Sequence, residues 1–269
     1  MTDTSLQPVI DTATRAAEPH QLQPGGYYIV NTPAGVREID LTGDQYKDAP
    51  TRKTGTTTVR DVAGFTTYYG KHADDATEVY ADAERLTVTA VLDAHRADAP
   101  RWAGHRLTLA LRTTDAWRQW LAKDGELSGQ EEFAEFIEDH LPELLEPTAA
   151  EMLEIAQSIQ GATKAEFQSS TRLVSGQRQF QFVETTTAKA GQKGQLTVPE
   201  TFTIGLVPFE GSEGYRVSAR FRYRLGRDGA LSLGYKLERP GDILRTAFAD
   251  VVTAIGEQIT QPVMNGTPA

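Results

Sequence analysis

The 269-residue sequence predicts an α+β protein: helices on a small, mostly antiparallel sheet, then an acidic helical connector, then a C-terminal antiparallel meander closed by a helix. Three observations carry that expectation. The first half mixes stretches of helical apolar spacing with short alternating runs. Residues 124–154 keep helical spacing but hold eleven Asp or Glu and no Lys or Arg. Beyond Gly161 the apolar period changes to two, until a last amphipathic stretch near the C-terminus. The expected organisation is an N-terminal lobe over 1–125, the connector over 126–160, the sheet with its closing helix over 161–260, and a loose tail over 261–269.

Taken in order, Leu6, Val9, Ile10 and Ala13 fall at helical spacing and predict a short amphipathic helix over 5–17. The turn cluster Gln23-Pro24-Gly25-Gly26 opens a strand at Tyr27, and Thr32-Pro33-Ala34-Gly35 turns it into a second strand ending at Leu41, which makes a hairpin. Residues 43–55 read as a loop. Val59, Val62, Phe65, Thr66 and Tyr69 predict a helix over 57–69. Strands follow over 77–81, 86–92 and 106–111. Thr114 caps a helix carrying Trp117, Trp120 and Leu121, and Gly125 ends it. Ser128 with Glu131 and Thr148 with Glu151 both fit the capping box, so two further helices are expected to start there. Alternation resumes through Phe167 to Leu173, Phe180 and Phe182, then through strands near Leu196, Phe202 to Leu206, Tyr215 to Leu225 and Leu231 to Leu237. Asp242 to Gln258 closes the chain as a helix, and the prolines beyond Thr260 predict the loose tail.

Composition excludes several chemistries. With no cysteine, disulfide frameworks, thiolate zinc sites, iron–sulfur clusters and cysteine nucleophiles all drop out. A net charge of −10 argues against a protein that coats duplex nucleic acid with its whole surface, yet leaves room for a local basic face. The first twenty residues lack a basic start and an apolar run, and no stretch reaches eighteen apolar residues, so a cytoplasmic location without membrane contact is expected. No P-loop, dinucleotide fingerprint or nucleophile elbow is present. The five histidines are scattered without metal-binding spacing, so neither a metal site nor a cofactor is expected. Asp93 and His95 would share a face if their strand continued that far, and Asp74-Asp75 lies nearby, but an Asp-x-His at a strand end is ordinarily just polar.

Two charged constellations remain. In Tyr215-Arg-Val-Ser-Ala-Arg-Phe-Arg-Tyr-Arg-Leu225, strand alternation puts Arg216, Arg220, Arg222 and Arg224 on one face. Lys236 on the returning strand adds to them. Guanidinium forks suit phosphates, so this face is the candidate nucleic-acid site, with single-stranded DNA as the expected partner. Its plain alternative is a solvated outer face, or one paired with acidic helices of the same chain. The counterpart is the acidic run, where Glu131, Glu135, Glu138 and Asp139 form a candidate partner-binding surface for a host or phage protein. Its plain alternative is the solvated side of an amphipathic helix. The two faces are also complementary, which allows a homo-oligomer.

The residues Trp117-Arg-Gln-Trp-Leu121, Gly125-Glu-Leu-Ser-Gly-Gln-Glu-Glu-Phe-Ala-Glu-Phe-Ile-Glu-Asp139, Glu151-Met-Leu-Glu154, Val198-Pro-Glu-Thr-Phe202, Phe209-Glu-Gly211 and Ala219-Arg-Phe-Arg-Tyr-Arg224 resemble the YfdQ-like family of phage and prophage proteins. The resemblance spans roughly residues 50–260. That family has no assigned function, so no catalytic residue carries over; it implies a phage or prophage origin and a neighbourhood of recombination and replication genes. The expected function is therefore a non-enzymatic phage accessory protein that binds nucleic acid in DNA recombination or replication. The alternatives are a modulator of a host system acting through the acidic helices and, third, an enzyme of unrecognised class.

Overall fold

The computed structural model describes residues 6–17, 21–32, 35–162, 187–190, 196–226 and 230–269. The chain is α+β and divides into two compact units, residues 1–54 and 55–269, a boundary that coincides with none of those at 125, 160 and 260. The first unit holds helix α1 (Gln7–Ala17) and a hairpin of β1 (Tyr27–Thr32) and β2 (Gly35–Asp40). The hairpin register runs from Tyr27 opposite Asp40 to Thr32 opposite Gly35. Gly35 has φ +116°, a backbone conformation that side chains disfavour.

The second unit starts with β3 (Gly55–Val59), α2 (Val62–His72), β4 (Glu78–Asp82), β5 (Thr87–Val91) and β6 (His105–Ala110). Strands β4, β5 and β6 form an antiparallel meander, and β3 joins β6 in parallel. The helix expected from Thr57 begins only at Val62. Its first residues belong to β3, because the β-branched run Thr56-Thr57-Thr58-Val59 fits a pleated edge better than a helical turn. Asp61 then caps α2 by accepting a hydrogen bond from the Gly64 amide at 2.6 Å.

Next come α3 (Asp115–Ala122), β7 (Leu127–Gly129), α4 (Gln130–Asp139), β8 (Leu144–Glu146) and α5 (Ala149–Ser158). Short strands β9 (Gln160–Ala162), β10 (Thr187–Ala190) and β11 (Leu196–Thr197) form a three-stranded sheet. The alternation from Phe167 to Phe182 lies outside the described residues. The chain continues with β12 (Thr201–Leu206), β13 (Tyr215–Leu225), β14 (Leu231–Leu237), α6 (Pro240–Gly256) and β15 (Val263–Asn265).

The Thr148–Glu151 capping box forms as expected, with Thr148 accepting from the Glu151 amide and the Glu151 carboxylate accepting from the Thr148 amide. The Ser128 box does not: Ser128 sits in β7 opposite Leu233, and α4 starts at Gln130 after Gly129 without a side-chain cap. Sheet pairing wins over capping there because β14 offers a backbone ladder to the same residues. The tail is also more ordered than its prolines predict, since β15 pairs in parallel with β4.

Two five-stranded sheets carry the two cores of this unit. The first has the order β15-β4-β5-β6-β3 and buries Val79, Val88, Leu107 and Leu109 against Phe65 of α2 and Phe248 and Ile255 of α6. The second has the order β7-β14-β13-β12-β8, all antiparallel. Its inner face, with Ile204, Val217, Phe221 and Leu233, is covered by Trp117 and Trp120 of α3, Phe133 and Ile137 of α4, and Met152 and Ile155 of α5. The stretch expected as a purely helical connector thus supplies two of the helices over this sheet, α4 and α5, and also both of its edge strands, β7 and β8. No helix among the described residues is long and apolar enough to cross a membrane.

Candidate functional site

Strand β13 is the spine of the site. Val217, Ala219 and Phe221 are buried in the core, while Arg216, Arg220, Arg222 and Arg224 point the other way and are exposed. The alternation of a half-buried strand fixes both sets together. Tyr215 anchors one end by donating its hydroxyl to Asp250 of α6. Burial, and then the Asp250 carboxylate beside it, push that phenol up to about 12, so it stays a donor at neutral pH.

Apart from Lys236, the cross-strand neighbours of the arginines are small and uncharged. On β12, Gly205 lies opposite Arg216, Thr203 opposite Ser218 and Thr201 opposite Arg220. On β14, Ser232 lies opposite Arg224, Gly234 opposite Arg222 and Lys236 opposite Arg220. No carboxylate stands directly across from an arginine at these positions, where a cross-strand ion pair would have neutralised it.

Partial pairing comes from the rim. Arg216 reaches Glu146 at the end of β8 at 2.9 Å, and Arg220 lies 3.6 Å from Glu238. Their side chains remain 63% and 68% exposed, so such pairs are worth roughly 0–1 kcal/mol and yield to a competing anion. Among the described residues, Arg222 and Arg224 have no ion pair. Lys236 sits beside Arg220, but its ammonium is held 2.5 Å from Asp124, whose other oxygen accepts from the Leu237 amide at 2.7 Å. Lys236 therefore belongs to the face in position and is tied down in chemistry.

Glu146 and Asp124 pair with the basic face, whereas the acidic residues of α4 are on the far side. Phe133, Ala134 and Ile137 turn α4 into the core, which leaves Glu131, Glu135, Glu138 and Asp139 exposed to solvent away from the sheet. Lys123 pairs with Glu132 at 2.6 Å, and that hydrogen bond raises the lysine's pKa. One layer pair thus carries cations on its sheet side and anions on its helix side. Pairing of the arginine face with α4 inside one chain is precluded, because the sheet stands between them.

Asp93 and His95 do not share a strand face. Strand β5 stops at Val91; the Asp93 carboxylate accepts from the amides of Gly104 and His105, and His95 Nδ1 accepts from the Arg101 amide at 2.8 Å. Both side chains clamp a loop. Sequence reasoning marked Asp74-Asp75 beside them but missed its partners: Arg101 meets Asp74 at 2.7 Å and Arg96 meets Asp75 at 2.7 Å. This ion cluster borders an open cleft of about 510 Å³ lined by Thr77, Glu78, His95 and Asp98 among others. His140 is buried, with Nδ1 2.7 Å from the Phe136 carbonyl and Nε2 2.8 Å from the Gln119 side chain, so it ties α4 to α3. Among the described residues, no group of three or more His, Asp or Glu is arranged to hold a metal.

The small residues flanking the arginines were also missed. Alternation in β12 and β14 marks their faces, but only the pairing register shows which of them borders which arginine. No curated protein and no solved structure matches the chain. A family model does match, over residues 2–268, and the chain belongs to that family, DUF2303, described as an uncharacterized conserved protein.

Proposed function

We propose that the outer face of the β12–β13–β14 sheet binds nucleic acid through its phosphates and that the protein is a non-enzymatic accessory factor of DNA recombination or replication. One observation carries this reading. Four arginines share an exposed sheet face, bordered by Gly, Ser and Thr, with the acidic helices of the chain on the opposite side. A net charge of −10 repels a polyanion at long range, while the separation of charge across the layer turns the arginine face toward it at short range. Phosphate-directed contact of this kind is independent of base sequence. The phage or prophage setting implied by the family resemblance accords with such a role. A second reading, a modulator that engages a basic host protein through Glu131, Glu135, Glu138 and Asp139, is favoured by the exposure of those carboxylates.

The test is fluorescence anisotropy with a labelled single-stranded oligonucleotide over a salt series. Wild-type affinity is expected to fall steeply with salt, and Arg222→Ala with Arg224→Ala to reduce the log–log slope by about 1.4, roughly 0.7 for each phosphate that the variant no longer neutralises. A folded wild type that binds nothing at low salt removes the reading. Unchanged binding by the double variant moves the interaction away from this face.

A further inference from the structure

The two charged faces fit each other as well as outside partners. On β13, Arg220, Arg222 and Arg224 recur at about 7 Å intervals, the two-residue repeat of a strand. On α4, Glu131, Glu135 and Glu138 form a stripe whose axial steps are about 6 and 4.5 Å. The stripe spans roughly 10 Å against roughly 14 Å for the arginines, a difference that long side chains absorb. Ser218, Thr201, Thr203 and Ser232 keep the sheet surface between the arginines low, so a helix can lie along it. Within one chain the faces are back to back and never meet.

We propose that, in a second copy of this chain, the acidic stripe of α4 docks on the arginine face of the first, forming a head-to-tail assembly that nucleic acid must displace. The symmetry follows from the layering. A two-fold interface built on either face alone would set like charges together, so the contact is heterologous, and repetition yields a ring if the rotation closes or an open chain if it does not. Association is weak and reversible, because each added copy brings a net charge of −10. It loosens as the Debye length shrinks from about 10 Å at 0.1 M salt to about 3 Å at 1 M. The docked helix occupies the same guanidinium groups as a phosphate backbone, which makes self-association a brake on nucleic-acid binding. The assembly itself is measured with no nucleic acid present, so it stands apart from the reading above.

The experiment is sedimentation velocity on wild type and two variants, one carrying Glu131→Gln, Glu135→Gln and Glu138→Gln, the other Arg220→Gln, Arg222→Gln and Arg224→Gln. Wild type at low salt is expected to give species that grow with concentration and collapse to monomer at about 1 M salt. Each variant alone should remain monomeric. Mixed together they should form a 1:1 dimer and nothing larger, because only one intact face of each kind is left in the mixture. A wild type that is monomeric at low salt and high concentration overturns the proposal; so does a variant that still assembles alone, or a mixture that stays monomeric. All six side chains are exposed, so wild-type melting temperatures are expected; should a triple variant fail to fold, Arg222→Gln and Glu135→Gln carry the same comparison. Adding the oligonucleotide to the wild-type assembly should dissolve it. Persistence of the assembly, with no oligonucleotide bound, counts against nucleic-acid binding while leaving the head-to-tail contact intact.

Discussion

Trp120→Ala is expected to lower the unfolding free energy by about 3–5 kcal/mol, the range for removing a large aromatic side chain from a packed interior. Trp120 is fully buried at the centre of the second core. Its ring lies 5.0 Å from Phe136, 4.9 Å from Tyr235, 5.5 Å from His140 and 6.1 Å from Phe202, centroid to centroid. Those rings stand on α4, β14, the end of α4 and β12, so no single movement closes the hole. The Trp120 carbonyl, in the last turn of α3 where helical partners run out, accepts the Tyr235 hydroxyl at 2.6 Å. Urea denaturation followed by circular dichroism measures the loss, and a change below about 1 kcal/mol would mean that the core relaxes as a unit. Burial raises the pKa of Tyr235 above its usual 10.0. The folded chain therefore holds that proton more tightly than the unfolded one, and the associated stability, complete below pH about 10, declines as pH rises beyond it. Tyr235→Phe is expected to blunt that alkaline loss, at a cost of about 1–2 kcal/mol near neutrality from the missing hydrogen bond.

Legibility in the sequence followed the range of the interaction that fixes each feature. Strands β13 and β14 fall where alternation put them, because a strand with one buried face writes its pattern into its own residues. The arginine face was legible for the same reason. The capping boxes show the limit: Ser128–Glu131 and Thr148–Glu151 have equivalent local chemistry, and only pairing with a strand a hundred residues away decides that the first is consumed by β7. Val59 and Val62 satisfied helical spacing while Thr56 to Val59 satisfied a strand, and the parallel partner β6 selected the strand. That α4 and α5 cover the face opposite the arginines was likewise not local. Their apolar stripes were visible, but the side of the sheet they cover is set by packing against Val217 and Phe221. Charge alone left open whether the two faces neutralise each other within the chain.

Gly234→Ala is expected to be the most damaging small substitution near the candidate site, at about 3 kcal/mol and toward the upper end of overpacking effects. Gly234 lies opposite Arg222 on one side and Leu127 on the other. A Cβ there would stand 2.0 Å from the Glu126 carbonyl oxygen and 3.1 Å from Leu127 Cδ2. The first clash is with backbone, which cannot rotate away like the end of a side chain. Nor can the segment slide: the Gly125 amide donates to the Tyr235 carbonyl at 2.9 Å, and the Asp124 carboxylate accepts from the Leu237 amide, pinning the loop next to position 234. Relief therefore requires opening the β7–β14 pairing, and with it the start of α4. Gly70→Ala supplies the contrast. Gly70 is exposed within α2, with nothing within 4 Å of the position its Cβ would take, so alanine there should stabilise by about 0.5–1 kcal/mol through helix propensity and a less flexible unfolded chain. Opposite signs from the same chemical change, read as melting-temperature shifts in paired samples, would establish that the close approach of Glu126 is what position 234 cannot give up. Equal effects at the two sites would instead mean that β7 is loosely held and that the edge of the arginine-bearing sheet yields to pressure.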